Sequence, residues 1–205
     1  MTRTVLPELI RDSRLIAVFR GLMPNRVSAV ADVLQASGIL VMEITMDSPE
    51  AEKSIERLAP RTVVGAGTVM DVADAEAAVA AGAAFLVSPH TDFGVVEWAA
   101  DRGVPVLPGA LTPTEIVTAW NAGAAAVKIF PAAVGGPGLL RAVGGPLSDI
   151  PLIPTGGLTA EKSASYLEAG AVAVGIGGWL TGPADLGVIA QRATATVEAV
   201  SPFTS

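Results

Sequence analysis

One recurring phrase limits what this chain can fold into: the end of a helical segment, a glycine, then a short apolar run. It occurs at Gly38, Gly82, Gly103, Gly123 and Gly170, each followed by a run such as Ala83-Ala84-Phe85-Leu86-Val87 or Ala171-Val172-Ala173-Val174. Glycine just past a helix end takes the left-handed turn there. The apolar run after it reads as a strand buried on both faces, as in a parallel sheet. Gly82, Gly103 and Gly123 are 21 and 20 residues apart, and the flanking gaps of 44 and 47 residues each fit two units. Filling those gaps predicts eight strands, at 15–20, 39–45, 62–67, 84–88, 104–108, 124–130, 151–155 and 171–176. Helix starts fall between them. Ser48 reads as an N-cap before Pro49, Thr112-Pro113-Thr114-Glu115 as a capping box, and Asp71, Thr91 or Asp92, and Thr159 as further caps.

Eight regular units with no long insertion predict an α/β chain folded as a single (β/α)8 TIM barrel rather than an open doubly wound sheet. One domain, 1–205, is expected: an extra N-terminal helix over the barrel floor at 1–14, the barrel core at 15–182, and a C-terminal helix and tail at 183–205. Trp120, Trp179, Leu186, Val188, Ile189 and Val197 read as packing residues.

Composition narrows the chemistry. The 205 residues contain no cysteine and one histidine, His90, which excludes thiol nucleophiles, disulfide scaffolds and multi-histidine metal sites. The formal net charge is -7, with no run of Lys or Arg, so nucleic acid is not an expected partner. The longest uncharged stretch, Ala169–Ala184, holds five glycines and a proline and is too short for a spanning helix. Charges near the N-terminus interrupt any secretory apolar region. A soluble cytoplasmic protein is expected.

In such a barrel, chemistry gathers at the carboxyl ends of the strands. Two residues there stand out. Lys128 is one of only three lysines and the only one set in an apolar strand, Ala124-Ala125-Ala126-Val127-Lys128-Ile129-Phe130-Pro131. An ammonium in the barrel interior loses hydration, which favours the neutral amine that adds to a carbonyl to form a Schiff base. Glu43, in Val41-Met42-Glu43-Ile44-Thr45, likewise interrupts a buried run and suits proton transfer. Each also has a plainer role open to it, Lys128 as half of a structural ion pair and Glu43 as its partner. Gly156-Gly157 and Gly177-Gly178 follow strands seven and eight, where exposed backbone N–H groups bind phosphate in many barrels.

These residues carry a resemblance. Met42-Glu43-Ile44-Thr45, Gly65-Ala66-Gly67-Thr68-Val69, Val87-Ser88-Pro89, Pro108-Gly109, Val127-Lys128-Ile129-Phe130-Pro131 and Thr155-Gly156-Gly157 resemble the KDPG/KHG aldolase family, class I aldolases of 2-keto-3-deoxy-6-phospho-sugar acids. The resemblance implies a (β/α)8 barrel, a homotrimer and no metal or other cofactor. It implies Lys128 as the Schiff-base lysine and Glu43 as the proton-transfer residue. Thr68 and Pro89 would line the pyruvate end, and Gly156, Gly157, Gly177 and Gly178 would hold the phosphate. Asp47 stands where gluconate-type enzymes carry an arginine. Arg20-Gly21 and Asp47-Ser48-Pro49 are closer to the galactonate-type branch, which makes Arg20 the clamp for the substrate carboxylate. His90 is expected at the rim without a catalytic role, and Gly178 replaces a serine of the phosphate loop.

The implied reaction cleaves 2-keto-3-deoxy-6-phospho-gluconate or -galactonate to pyruvate and glyceraldehyde 3-phosphate, the partner being a small keto-acid sugar phosphate. Alternatives are an aldolase for an unphosphorylated acid such as 4-hydroxy-2-oxoglutarate, a sugar-phosphate epimerase or isomerase, and a non-catalytic sugar-acid-phosphate binding protein.

Overall fold

The computed structural model describes residues 3–204. The first third contains α1 (Glu8–Ser13), β1 (Leu15–Phe19), α2 (Pro24–Ala36), β2 (Val41–Thr45), α3 (Ala51–Leu58) and β3 (Val63–Gly67). Then come α4 (Val72–Ala80), β4 (Leu86–Val87), α5 (Phe93–Asp101), β5 (Val106–Leu107), β6 (Gly109–Ala110) and α6 (Pro113–Ala122). The last third holds β7 (Val127–Ile129), α7 (Ala132–Gly144), β8 (Leu152–Pro154), α8 (Ala160–Glu168), β9 (Val174–Ile176), α9 (Gly178–Thr181) and α10 (Leu186–Val200).

Every strand pairing among the described residues is parallel. One sheet runs β5-β4-β3-β2-β1-β9 and a second runs β6-β7-β8. A bridge between Thr155 and Gly175 lies at the ends of β8 and β9, and only Pro108 separates β5 from β6. The fold is α/β, with a curled parallel sheet inside a layer of helices.

The five hinge glycines all have positive φ, between 68° and 116°, as the repeat requires. Among the described residues, eight of the nine strands fall inside the eight expected segments and are no longer than them; the ninth, β6 at Gly109–Ala110, lies outside all of them. Pro105 and Pro108 offer no N–H to a ladder, so the expected strand at 104–108 is cut to Val106–Leu107 and pairing resumes at Gly109. The capping box at Thr112 is formed, and Asp71, Asp92 and Thr159 cap their helices. Ser48 does not. Its hydroxyl accepts from the Gly21 N–H at 2.8 Å and bonds Thr45 Oγ1 at 2.9 Å, tying the loop after β2 to the loop after β1. The helix therefore starts at Ala51, after Glu50 in a left-handed conformation. The N-terminal helix is likewise confined to Glu8–Ser13; residues 1 and 2 of the expected 1–14 segment lie outside the described residues.

Alternation along the strands makes two cores. Residues such as Leu15, Ala17, Met42, Ile44, Val127 and Ile129 pack against the helices. Ile16, Val18, Val41, Phe85, Leu107, Ala126 and Ile153 fill the inner face, and Leu6 and Ile10 close its N-terminal end. No helix among the described residues is long and apolar enough to cross a membrane.

Candidate active site

A period of two puts Glu43 on the face of Val41 and Lys128 on the face of Ala126, so both point inward near the carboxyl ends of their strands. Glu43 is 2% exposed and Lys128 is 3% exposed. Room for them comes from missing side chains. A Cβ on Gly67 would overlap the Glu43 carboxylate, and one on Gly175 would overlap Thr155.

Burial pushes the Glu43 carboxyl above its ordinary range, and the positive charges of Lys128 and Arg20 pull it partly back. Glu43 Oε1 is buried without a hydrogen-bond partner among the described residues. A carboxyl in that state accepts or gives a proton with little competition from structural bonds. The Lys128 ammonium lies 5.0 Å from the centre of the Phe130 ring, within cation–π range.

Arg20 sits at the end of β1. Its Nη1 meets Asp47 Oδ2 at 3.3 Å and its Nη2 donates to Thr68 Oγ1 at 2.8 Å. Thr68 holds a positive φ of 54°, uncommon for a branched side chain. The guanidinium is thus steered from two sides by exposed or half-buried partners, and the ion pair by itself contributes little to stability.

A cavity of about 520 Å³ opens above Lys128. Of the residues expected at the site, it brings together Lys128, Arg20, Gly156, Gly157, Gly177 and Gly178. Glu43, buried, and Thr68 are not on its wall, though Thr68 accepts a hydrogen bond from Arg20, which is. Pro89 is not on its wall. Pro89 and the exposed His90 line a neighbouring cavity of about 390 Å³, and Phe130 lines both. Gly109 packs so closely on the Pro89 carbonyl that a Cβ there would collide with it. Among the described residues, no group of three or more His, Asp or Glu side chains is placed to hold a metal ion.

The description of the family model matching residues 6–200 is KDPG and KHG aldolase. This chain belongs to that family. It is 37% identical to a probable 2-dehydro-3-deoxy-6-phosphogalactonate aldolase of Rhizobium meliloti, over 97% of this chain and 96% of that protein. It is 36% identical to a 2-dehydro-3-deoxy-phosphogluconate aldolase of Pseudomonas aeruginosa, over 95% and 91%. A KDPG aldolase from Legionella pneumophila, solved with pyruvate captured as a covalent carbinolamine intermediate, is 28% identical, with a TM-score of 0.78 over 96% of this chain and 97% of that one. The chain is therefore an aldolase, a lyase.

Two residues on the aldolase's cavity wall escaped the sequence reading. Phe130 stood inside a noted motif without a role, and Trp179 read as packing. An aromatic residue has the same sequence signature whether it faces a core or a cavity. The signal available was position: Phe130 directly follows β7, and Trp179 directly follows the glycine pair Gly177-Gly178 after β9.

Proposed function

We propose that this aldolase works by Schiff-base chemistry on Lys128, cleaving a 2-keto-3-deoxy-6-phospho-sugar acid to pyruvate and glyceraldehyde 3-phosphate. The observation that carries the proposal is a buried amine on the wall of a cavity of substrate size, with a buried carboxyl that feels its charge and whose Oε1 has no hydrogen-bond partner among the described residues. Lys128 adds to the C2 ketone, and protonated Glu43 gives its proton to the departing hydroxyl, leaving the iminium and water. Glu43, now ionised, takes the C4 hydroxyl proton as the C3–C4 bond breaks. The bonding pair passes to the iminium to make an enamine, and the aldehyde leaves. Glu43 returns the proton to C3, and hydrolysis releases pyruvate and the free amine.

Arg20, oriented by Asp47 and Thr68, holds the carboxylate of the keto acid. Gly156, Gly157, Gly177 and Gly178 form the wall toward the phosphate. Thr68 and Pro89 line the pyruvate end, Pro89 from the adjoining cavity that Phe130 also borders. The organic reaction needs no metal or other cofactor in this scheme.

The same reading takes both sheets as one closed (β/α)8 barrel and residues 1–205 as one domain. It is supported by the Thr155–Gly175 bridge on one side and by the continuity of β5 and β6 through Pro108 on the other. The reading includes a cytoplasmic homotrimer, as the family resemblance implies. Gly178 favours a second substrate reading, an unphosphorylated acid such as 4-hydroxy-2-oxoglutarate, because it supplies no hydroxyl to a phosphate.

The test is pyruvate release, coupled to lactate dehydrogenase and NADH, from both epimeric phospho-sugar acids and from their unphosphorylated counterparts. Turnover of a phosphorylated epimer is expected. Tight binding of every acid without pyruvate release would make this a binding protein instead.

A further inference from the structure

Trp179 separates two hollows. It lines the cavity that contains Lys128 and, with Thr159, also lines a neighbouring hollow of about 510 Å³. Arg192, on α10, reaches Trp179 from that second hollow. Its Nη1 donates to the Trp179 carbonyl, and its guanidinium carbon lies 5.0 Å from the indole centre. Arg192 has no carboxylate within ion-pair distance among the described residues, although Glu161 lines the same hollow. A half-buried cation thus grips one residue by backbone and ring together. The residue it grips directly follows Gly177 and Gly178 in the cavity wall.

We propose that Arg192 is a positioning residue for the phosphorylated end of the substrate, acting through Trp179. The inference rests on the aldolase reading above and deepens it. The bond to the Trp179 carbonyl sets the backbone of α9, whose first residues border the cavity. The stacked guanidinium holds the indole as a rigid wall. Its positive charge also raises the local potential in a chain with a formal net charge of -7. This supplies part of the anion attraction that Gly178, lacking a hydroxyl, does not. Arg192 contacts Trp179 and has no hydrogen bond to Arg20, Glu43 or Lys128, so it affects binding of the distal end and leaves the chemistry at C2 alone.

The experiment uses the full chain with Arg192→Met and Arg192→Lys, on a phosphorylated 2-keto-3-deoxy acid and its unphosphorylated analogue. Borohydride trapping of pyruvate is run beside the kinetics. Arg192→Met is expected to raise KM for the phosphorylated acid about tenfold, with kcat unchanged. KM for the unphosphorylated acid and the yield of trapped pyruvate should stay near wild type. Arg192→Lys keeps the charge without the planar stack, so a smaller rise of about threefold is expected. This variant decides the matter if Arg192→Met does not fold. Equal losses on both acids, reduced trapping, or an unchanged KM for the phosphorylated acid would overturn the role of Arg192. Wild-type protein that traps no pyruvate would instead remove the aldolase mechanism itself, so the two failures are distinguishable.

Discussion

The two ends of the sheet's inner face are built by one rule and put to opposite uses. At the N-terminal end, Ile16 and Val41 meet Leu6 and Ile10, and the space closes with hydrocarbon. Two residues further along the same strands, the same face carries different chemistry. Val41 gives way to Glu43, Ala126 to Lys128 and Ile153 to Thr155. The floor gains stability from burial of apolar surface. The mouth accepts the desolvation of a carboxyl and an amine and leaves Glu43 Oε1 without a hydrogen-bond partner among the described residues. Identical backbone geometry therefore does not distinguish scaffold from site. A polar residue at the inward phase of a buried strand does.

The sharpest way to break this contrast is to make the mouth resemble the floor. Lys128→Met is expected to lower kcat by at least about 10⁴-fold, since no other group supplies the amine. Its thermal midpoint should match or exceed that of wild type, because an apolar chain of similar volume replaces a buried amine. Parallel kinetics and melting curves check both halves.

Glu43→Gln comes next, with an expected loss of about 10²–10⁴-fold in kcat. It also carries a signature in stability. The folded-state value of Glu43 is raised above the ordinary 4.5, so the folded protein holds this proton more tightly than the unfolded chain. The stabilisation is fully present at low pH and is lost as pH rises above that ordinary value and through the raised one. The midpoint of wild type relative to Glu43→Gln should accordingly fall with rising pH. A difference that stays flat would contradict the buried, unpartnered carboxyl.

At the floor the expected pattern reverses. Ile10→Ala should cost about 2–5 kcal/mol in denaturant unfolding while leaving kcat/KM near wild type, because it opens a cavity far from the chemistry. The smallest effect is expected from Asp47→Asn. It removes a negative charge beside Arg20, the proposed carboxylate clamp, but keeps an acceptor for it, and should lower KM by no more than about fivefold, as for an exposed ion pair.

How far the sequence revealed this arrangement follows from which interactions are local. Gly38, Gly82, Gly103, Gly123 and Gly170 announced the helix ends, because a positive φ is a demand of a single residue. The buried, inward placement of Glu43 and Lys128 was readable from their strand phase. Ser48 was misread as a cap because its partners are Gly21, on another loop, and Thr45, whose approach depends on the turn. The Asp47–Arg20 contact spans two strand–loop units and leaves no mark in either segment. Pro89 was assigned to the pyruvate end from its motif. Its position in the adjoining cavity, packed against Gly109, is not marked in that motif. Trp179 packs against the core as expected, and its place on the cavity wall as well is what its segment alone does not show.

The most direct test is reduction with borohydride in the presence of pyruvate, followed by peptide mapping by mass spectrometry. The account predicts one stable adduct, on the peptide containing Lys128, that is absent from Lys128→Met. No adduct, or an adduct mapped to Lys53 or Lys162, would contradict it.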